Sequence, residues 1–225
     1  MMTDSAPVIR RGVVLTLVGL AALAVVYAVA MLGTPTERWQ GLAQKILYIH
    51  APSAWAALMS FSLVGLASVA YLLFKDPRLD AFAEASAEVG LAFGAVMLTT
   101  GPMWARPVWG TWWQWEPRLT LTLLLVLLFV GYRALRNSID DHEERARYCA
   151  VVGIMALVLV PFVHLSVYLF RTIHPQPVFL KPSRPSLPWE MVRTLLASMA
   201  TFTLLYVGLV TTRYGLGRRD SGATP

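Results

Sequence analysis

Residues 118–135 read "RLTLTLLLVLLFVGYRAL", a run whose only charges are Arg118 at its start and Arg133 near its end. A bilayer core about 30 Å thick is crossed by about 20 helical residues, so this run reads as a membrane-spanning helix. Five further runs of the same kind lie around it, at about 13–33, 53–74, 82–104, 149–170 and 190–213. Of the 225 residues, 56% are hydrophobic and 14% charged. The chain therefore reads as all-α, an integral membrane bundle of six transmembrane helices forming one domain over 1–225, with no room for a soluble domain. The run at 13–33 follows Arg10 and Arg11 as a secretory signal would. Its apolar stretch is too long for one, and no small-residue cleavage site precedes Pro35, so it reads as a retained first helix.

Six helices leave connections 34–52, 105–117 and 171–189 on one side of the membrane and 75–81 and 136–148 on the other. Lys and Arg favour the cytoplasmic side. Placing both termini there puts eleven of the 19 basic residues inside and eight outside. The net charge of +6 reflects this topology and gives no support to nucleic-acid binding. The reading is a multi-pass protein of the bacterial inner (plasma) membrane, embedded in lipid, with the 105–117 loop facing the periplasm.

That loop leads through "WGTWWQWEPRLT", residues 109–120, into the next helix. Interfacial belts collect tryptophan singly at helix ends, which is enough for Trp39, Trp55 and Trp189. Trp104, Trp109, Trp112, Trp113 and Trp115 instead crowd together, five of the eight tryptophans in the chain. Indole faces are broad, stiff and apolar, with one N–H at the rim, and suit a large flat apolar ligand. Arg106 and Arg118 flank them, and guanidinium groups clamp carboxylates. Haem, with its planar body and carboxylated edge, fits this description; a sterol acid or an isoprenoid-linked anion fits it more loosely.

The histidines narrow the choice. His50, in "KILYIHAPSAW", stands directly before helix two, and His174 stands just past helix five, where Pro175 stops the helix. Two imidazoles on the tryptophan side of the membrane can supply both axial positions of a haem iron. His164 lies ten residues upstream of His174, about 15 Å deeper on a continuous helix. It is either a structural hydrogen-bonding group or a second participant in haem handling. His142, in "RNSIDDHEERAR", belongs to a solvated connection. Glu84 and Glu88 share one face near the start of helix three, where carboxylates suit the helix dipole; alternatively Glu88 faces a polar cleft or a partner. Cys149, the single cysteine, reads as a small packed apolar residue.

Other features are missing. There is no C-x-x-C pair, no C-x-x-C-H attachment sequence, no phosphate-binding glycine loop and no nucleophile with an acid–base partner in the sequence. On the residues alone two other classes stay open: a membrane b-type cytochrome subunit for quinone-linked electron transfer, and a small export permease. The first places paired ligands deep on facing helices, and the second calls for broken helices near the midplane.

The segment "WGTWWQWEPRLT" resembles the WWD signature, W-G-x-W-W-x-W-D-x-R-L-T, of the haem-handling proteins of cytochrome c biogenesis, a group that includes CcmC, CcmF and CcsA. Six helices, "YIHAPSAW" and "VHLSVYLFRTIHP" make the chain similar to the haem exporter protein C (CcmC) family from about residue 10 to 214. The resemblance implies haem b (iron protoporphyrin IX) held at the periplasmic face and delivered to the haem chaperone CcmE, alongside CcmA, CcmB and CcmD. It implies His50 and His174 as axial ligands, Trp109, Trp112, Trp113 and Trp115 as a platform, and Glu116 and Arg118 at its edge. Glu116 stands where the signature has aspartate. The expected role is a haem-presenting lyase component without a nucleophile of its own.

Overall fold

The structure is a computed structural model that describes residues 5–179, 181 and 183–222, with side chains through 219. Its helices are α1 (Ala6–Leu32), α2 (Leu47–Phe74), α3 (Pro77–Trp109), α4 (Pro117–Ser138), α5 (His142–Leu169) and α6 (Trp189–Gly222), with a 3₁₀ segment over Gly41–Ile46 before α2. All six helices are long and apolar enough to cross a membrane, and there is no strand among the described residues.

Acidic side chains cap the starts of α3, α4 and α5. The Asp76, Glu116 and Asp141 carboxylates accept from the backbone N–H of Arg78, Leu119 and Glu144 at 2.9, 3.0 and 2.7 Å, and so satisfy donors that a helix leaves open at its first turn. Proline follows two of these caps, at Pro77 and Pro117, where its missing N–H costs nothing. α3 ends on Gly110, whose φ of 78° is a left-handed conformation open to glycine without strain.

Small residues let the helices approach. A Cβ on Gly90 would stand 2.4 Å from Ser60 Oγ, and one on Gly65 2.4 Å from Leu157 Cβ, so α2 lies close against α3 and α5. Ser60 Oγ donates to the Ser86 carbonyl at 2.6 Å, and Ser86 Oγ shares a hydrogen bond with Tyr206 at 2.9 Å. This ties α2, α3 and α6 together through polar groups, as membrane bundles do where lipid offers no hydrophobic drive between helices. Phe61 and Phe129 stack at 3.9 Å in the core. α1 packs chiefly on α6.

Of the boundaries that differ from the sequence reading, three bear on the site. α2 begins at Leu47, so His50 lies in its first turn and not before it. Pro52 removes the backbone donor for the Tyr48 carbonyl, and Ser198 Oγ on α6 donates to that carbonyl in its place. α3 continues through Pro102 and Pro107 to Trp109, so Trp104, Arg106 and Trp109 are helical and the loop shrinks to 110–116. α5 leaves the helix at Phe170, which puts His164 about 7.5 Å from the helix end, nearer the surface than a continuous helix to His174 implies.

Glu84 and Glu88 also differ from a simple helix-dipole role, because both are ion-paired across helices. Arg136 of α4 holds Asp80 through two bonds of 2.8 and 2.6 Å and Glu84 at 3.0 Å. Arg133 meets Glu84 at 3.1 Å and Glu88 at 2.6 Å, and Arg213 of α6 also pairs with Glu88. Cys149 is fully buried, as its reading as a packing residue anticipates.

Candidate functional site

At the end of the bundle opposite this ion-pair network, α2, α3, the 110–116 loop, the start of α4, α5, the 171–179 segment and α6 surround a cavity of about 400 Å³, within the range of small-molecule sites. α2 contributes His50, Ala54, Trp55 and Leu58, and α3 contributes Gly101, Trp104, Ala105 and Val108. Both sets recur at three- and four-residue intervals, which is one face of each helix. His50, His164 and His174 all line this cavity, with Trp109, Trp112, Trp113 and Arg118.

The hydrogen bonds around two of the imidazoles fix their protons. His50 Nδ1 lies 3.1 Å from Thr100 Oγ1. That hydroxyl spends its single proton on the Val96 carbonyl at 2.7 Å, so His50 Nδ1–H is the donor and Nε2 keeps the lone pair. His174 Nδ1 lies 2.9 Å from the Pro175 carbonyl, which can only accept, so the same tautomer follows. A second partner that commits Nδ1 is the usual support of a histidine metal ligand. Gly101 makes room for the first ring: a Cβ there would stand 3.2 Å from His50 Cε1. Trp104 stands edge-on to the same ring at 5.9 Å, anchored by its N–H to Gln40 Oε1 at 2.9 Å.

His174 is held from the motif itself. Glu116, 8% exposed, caps α4 with one carboxylate oxygen and accepts the Thr172 hydroxyl proton with the other. Thr172 Oγ1 then accepts from the His174 backbone N–H at 3.0 Å. Burial pushes the Glu116 carboxyl up from its ordinary range, opposed by the Leu119 N–H and by Arg118. Burial first, and then the Arg118 charge, push the His174 imidazole down to about 3. A neutral ring at physiological pH is the form that binds metal.

The predicted site residues therefore divide. The cavity gathers His50, His174, His164, Trp109, Trp112, Trp113 and Arg118. Trp115, 77% exposed, stands outside against Trp113 at 5.8 Å. Arg106 is also outside and donates to the Gly110 carbonyl. Glu116 is turned inward as a brace. Trp55, read from sequence as an interfacial anchor, is a cavity wall fixed by its N–H to Thr203 Oγ1 at 3.1 Å. Trp55 and Thr100 were findable only once the helix start and face were known.

A flat iron macrocycle fits these residues. Trp113 Nε1 and Arg118 Nη1 are buried without a hydrogen-bond partner, a costly arrangement that an anionic ligand edge would relieve. No group of three or more His, Cys, Asp or Glu side chains among the described residues could hold a bare metal ion. Haem iron brings four nitrogens of its own and asks the protein for two axial ligands at most.

Fold and cavity define a class: a six-helix membrane protein with an aromatic, histidine-bearing pocket at one end. Comparison with known proteins gives the family. The model of the CcmC family, "Heme exporter protein C", matches residues 5–220. The chain is 35% identical over 175 residues to the heme exporter protein C of Bradyrhizobium diazoefficiens, covering 78% of this chain and 66% of that protein, just under two thirds of its length. It is 32% identical over 200 residues to the namesake from Haemophilus influenzae, covering 89% and 80%, and 32% identical over 176 residues to that of Escherichia coli K12, covering 76% and 71%. The chain belongs to the haem exporter protein C family. It is a multi-pass membrane protein with a haem-handling role in cytochrome c maturation.

Proposed function

We propose that the cavity holds haem b at the periplasmic face and presents it to the chaperone CcmE, with His50 and His174 as axial ligands. The observation that carries this reading is that both imidazoles line one cavity and both have Nδ1 committed as a donor, leaving Nε2 for iron. Trp104, Trp109, Trp112 and Trp113 supply flat apolar contact, and Arg118 with the Trp113 N–H receives a propionate. When bound, haem supplies the iron and the vinyl edge; the chain positions it, excludes lipid from one side and leaves the other open. The bond-forming histidine comes from the partner, since His50 and His174 are committed to the iron. CcmA, CcmB and CcmD are the further subunits expected alongside.

Periplasmic sidedness rests on the excess of Arg and Lys at the opposite end. Trp115→Cys in a Cys149→Ala background is expected to react with a membrane-impermeant thiol reagent added outside intact spheroplasts; protection there, with labelling only after lysis, would reverse the orientation. Ligation is tested by the absorption spectrum of purified protein reconstituted with haem. The double variant His50→Ala/His174→Ala is expected to lose the Soret band of the bis-histidine complex. A band unchanged in position and height would remove the assignment.

A further inference from the structure

The segment that carries His174 is held at both ends. Its near end is the Thr172 brace on Glu116. Its far end is apolar: Val178 and Phe179, both half-buried, pack against a cluster of Ala30, Leu47, Tyr48 and Leu195. Leu47 and Tyr48 belong to the first turn of α2, the turn that also bears His50. Between the two anchors the backbone bends at 173–174 and again at 178–179, and it runs without a turn through Pro175, Gln176 and Pro177. Proline at two of these three positions fixes φ there and leaves the stretch little freedom to bend. Every residue from Ile173 to Phe179 lines the cavity. The segment is therefore a short stiff bar laid across the cavity, from the start of α4 to the first turn of α2.

We propose that Phe179, supported by Val178, is a positioning residue for the iron ligand His174. The inference rests on the reading of His50 and His174 as a ligand pair. A bar pinned at one end pivots, and a bar pinned at both ends does not. Thr172 fixes where the ligand segment begins, two residues before His174, but not the direction of the chain beyond it. The apolar anchor sets that direction by seating the bar on the turn that carries His50. Packing between the two ligand segments thus sets the spacing of the imidazoles before haem arrives, so binding need not order them. Trp104, edge-on to His50 at 5.9 Å, packs on the same cluster, and one apolar seat steadies both ligands.

The test uses the full-length protein. In its haem-free form, Gln176→Cys in a Cys149→Ala background carries a nitroxide label on the bar, where the native side chain is exposed. Adding Phe179→Ala is expected to sharpen the spectrum of that label. In the otherwise native protein, Phe179→Ala is expected to lower haem affinity about tenfold, as follows when the ligand-competent population falls to about a tenth. Part of the six-coordinate, bis-imidazole absorption should give way to a five-coordinate spectrum, which free imidazole restores. Phe179→Leu, which keeps an apolar side chain at the anchor, is expected to behave as the native protein does. Pro177→Gly loosens the bar with the anchor in place, and carries the same expectation should Phe179→Ala fail to fold. A native protein without the bis-imidazole spectrum removes the ligand pair, and the proposal with it. A native protein that has the spectrum, with Phe179→Ala unchanged in either label or absorption, overturns the proposal alone.

Discussion

The two ends of the bundle use charge in opposite ways. At one end, Asp80, Glu84 and Glu88 of α3 are each gripped by arginines from α4 or α6, and the pairs hold helices to one another. At the other end Glu116 spends both oxygens within the fold, while Arg118 and Trp113 keep donors unpartnered. A side chain whose partners lie in the protein is doing structural work. A buried donor facing a void with none is the better pointer to a ligand.

If that contrast holds, damage to one end should leave the other standing. The largest effect is expected from His50→Ala/His174→Ala: haem affinity should fall by more than the roughly hundredfold that follows loss of a supporting partner, with the thermal midpoint of the haem-free protein unchanged. Asp80→Ala should do the reverse. It leaves the buried Arg136 with Glu84 as its remaining carboxylate, at a cost of about 3 kcal/mol, the lower end for breaking a buried ion pair, measurable by unfolding in detergent, with haem affinity of the folded fraction intact. Haem binding that collapses with Asp80→Ala would show that the ends are one cooperative unit.

Thr172→Val probes the brace. It removes the acceptor for the His174 N–H and the donor to Glu116, and should weaken haem binding about tenfold, with Thr172→Ser restoring it. The smallest effect concerns pH. His174 sits near 3 against an ordinary 6.5, so iron meets no competing proton as pH falls from 7 towards 5, and haem affinity of the folded protein should stay flat. Stability behaves differently: it is full above 6.5 and declines as pH falls towards 3, because the unfolded chain takes up a proton that native His174 refuses. Haem titrations and unfolding curves across this range separate the two. An affinity that drops already at pH 6 would mean that His174 is as hydrated as a free histidine.

Much of this was legible in the residues. Six apolar runs named six helices because each is long enough to span a bilayer, and tryptophans and histidines on one side of the membrane announced a common site. What the sequence hid was phase. The third apolar run reads as ending at 104, yet the helix continues through Pro107 to Trp109, which brings Trp109 onto the cavity face with Trp104 and turns Arg106 away from it. An α2 that starts at Leu47 does the same for Trp55. The role of Glu116 was hidden for another reason: its partner Thr172 is 56 residues away, and no local pattern connects them.

Finally, α1 lies antiparallel on α6 through a seam of glycines. Hypothetical Cβ atoms on Gly12 and Gly19 would meet Thr212 and Leu205, and those on Gly208 and Gly215 would meet Thr16 and Ile9. α1, made before α6, thus waits for it. Until α6 enters the bilayer, α1 lacks its chief packing surface, so bundle closure follows α6 insertion, and chains stalled before residue 189 should expose α1 to membrane quality-control proteases.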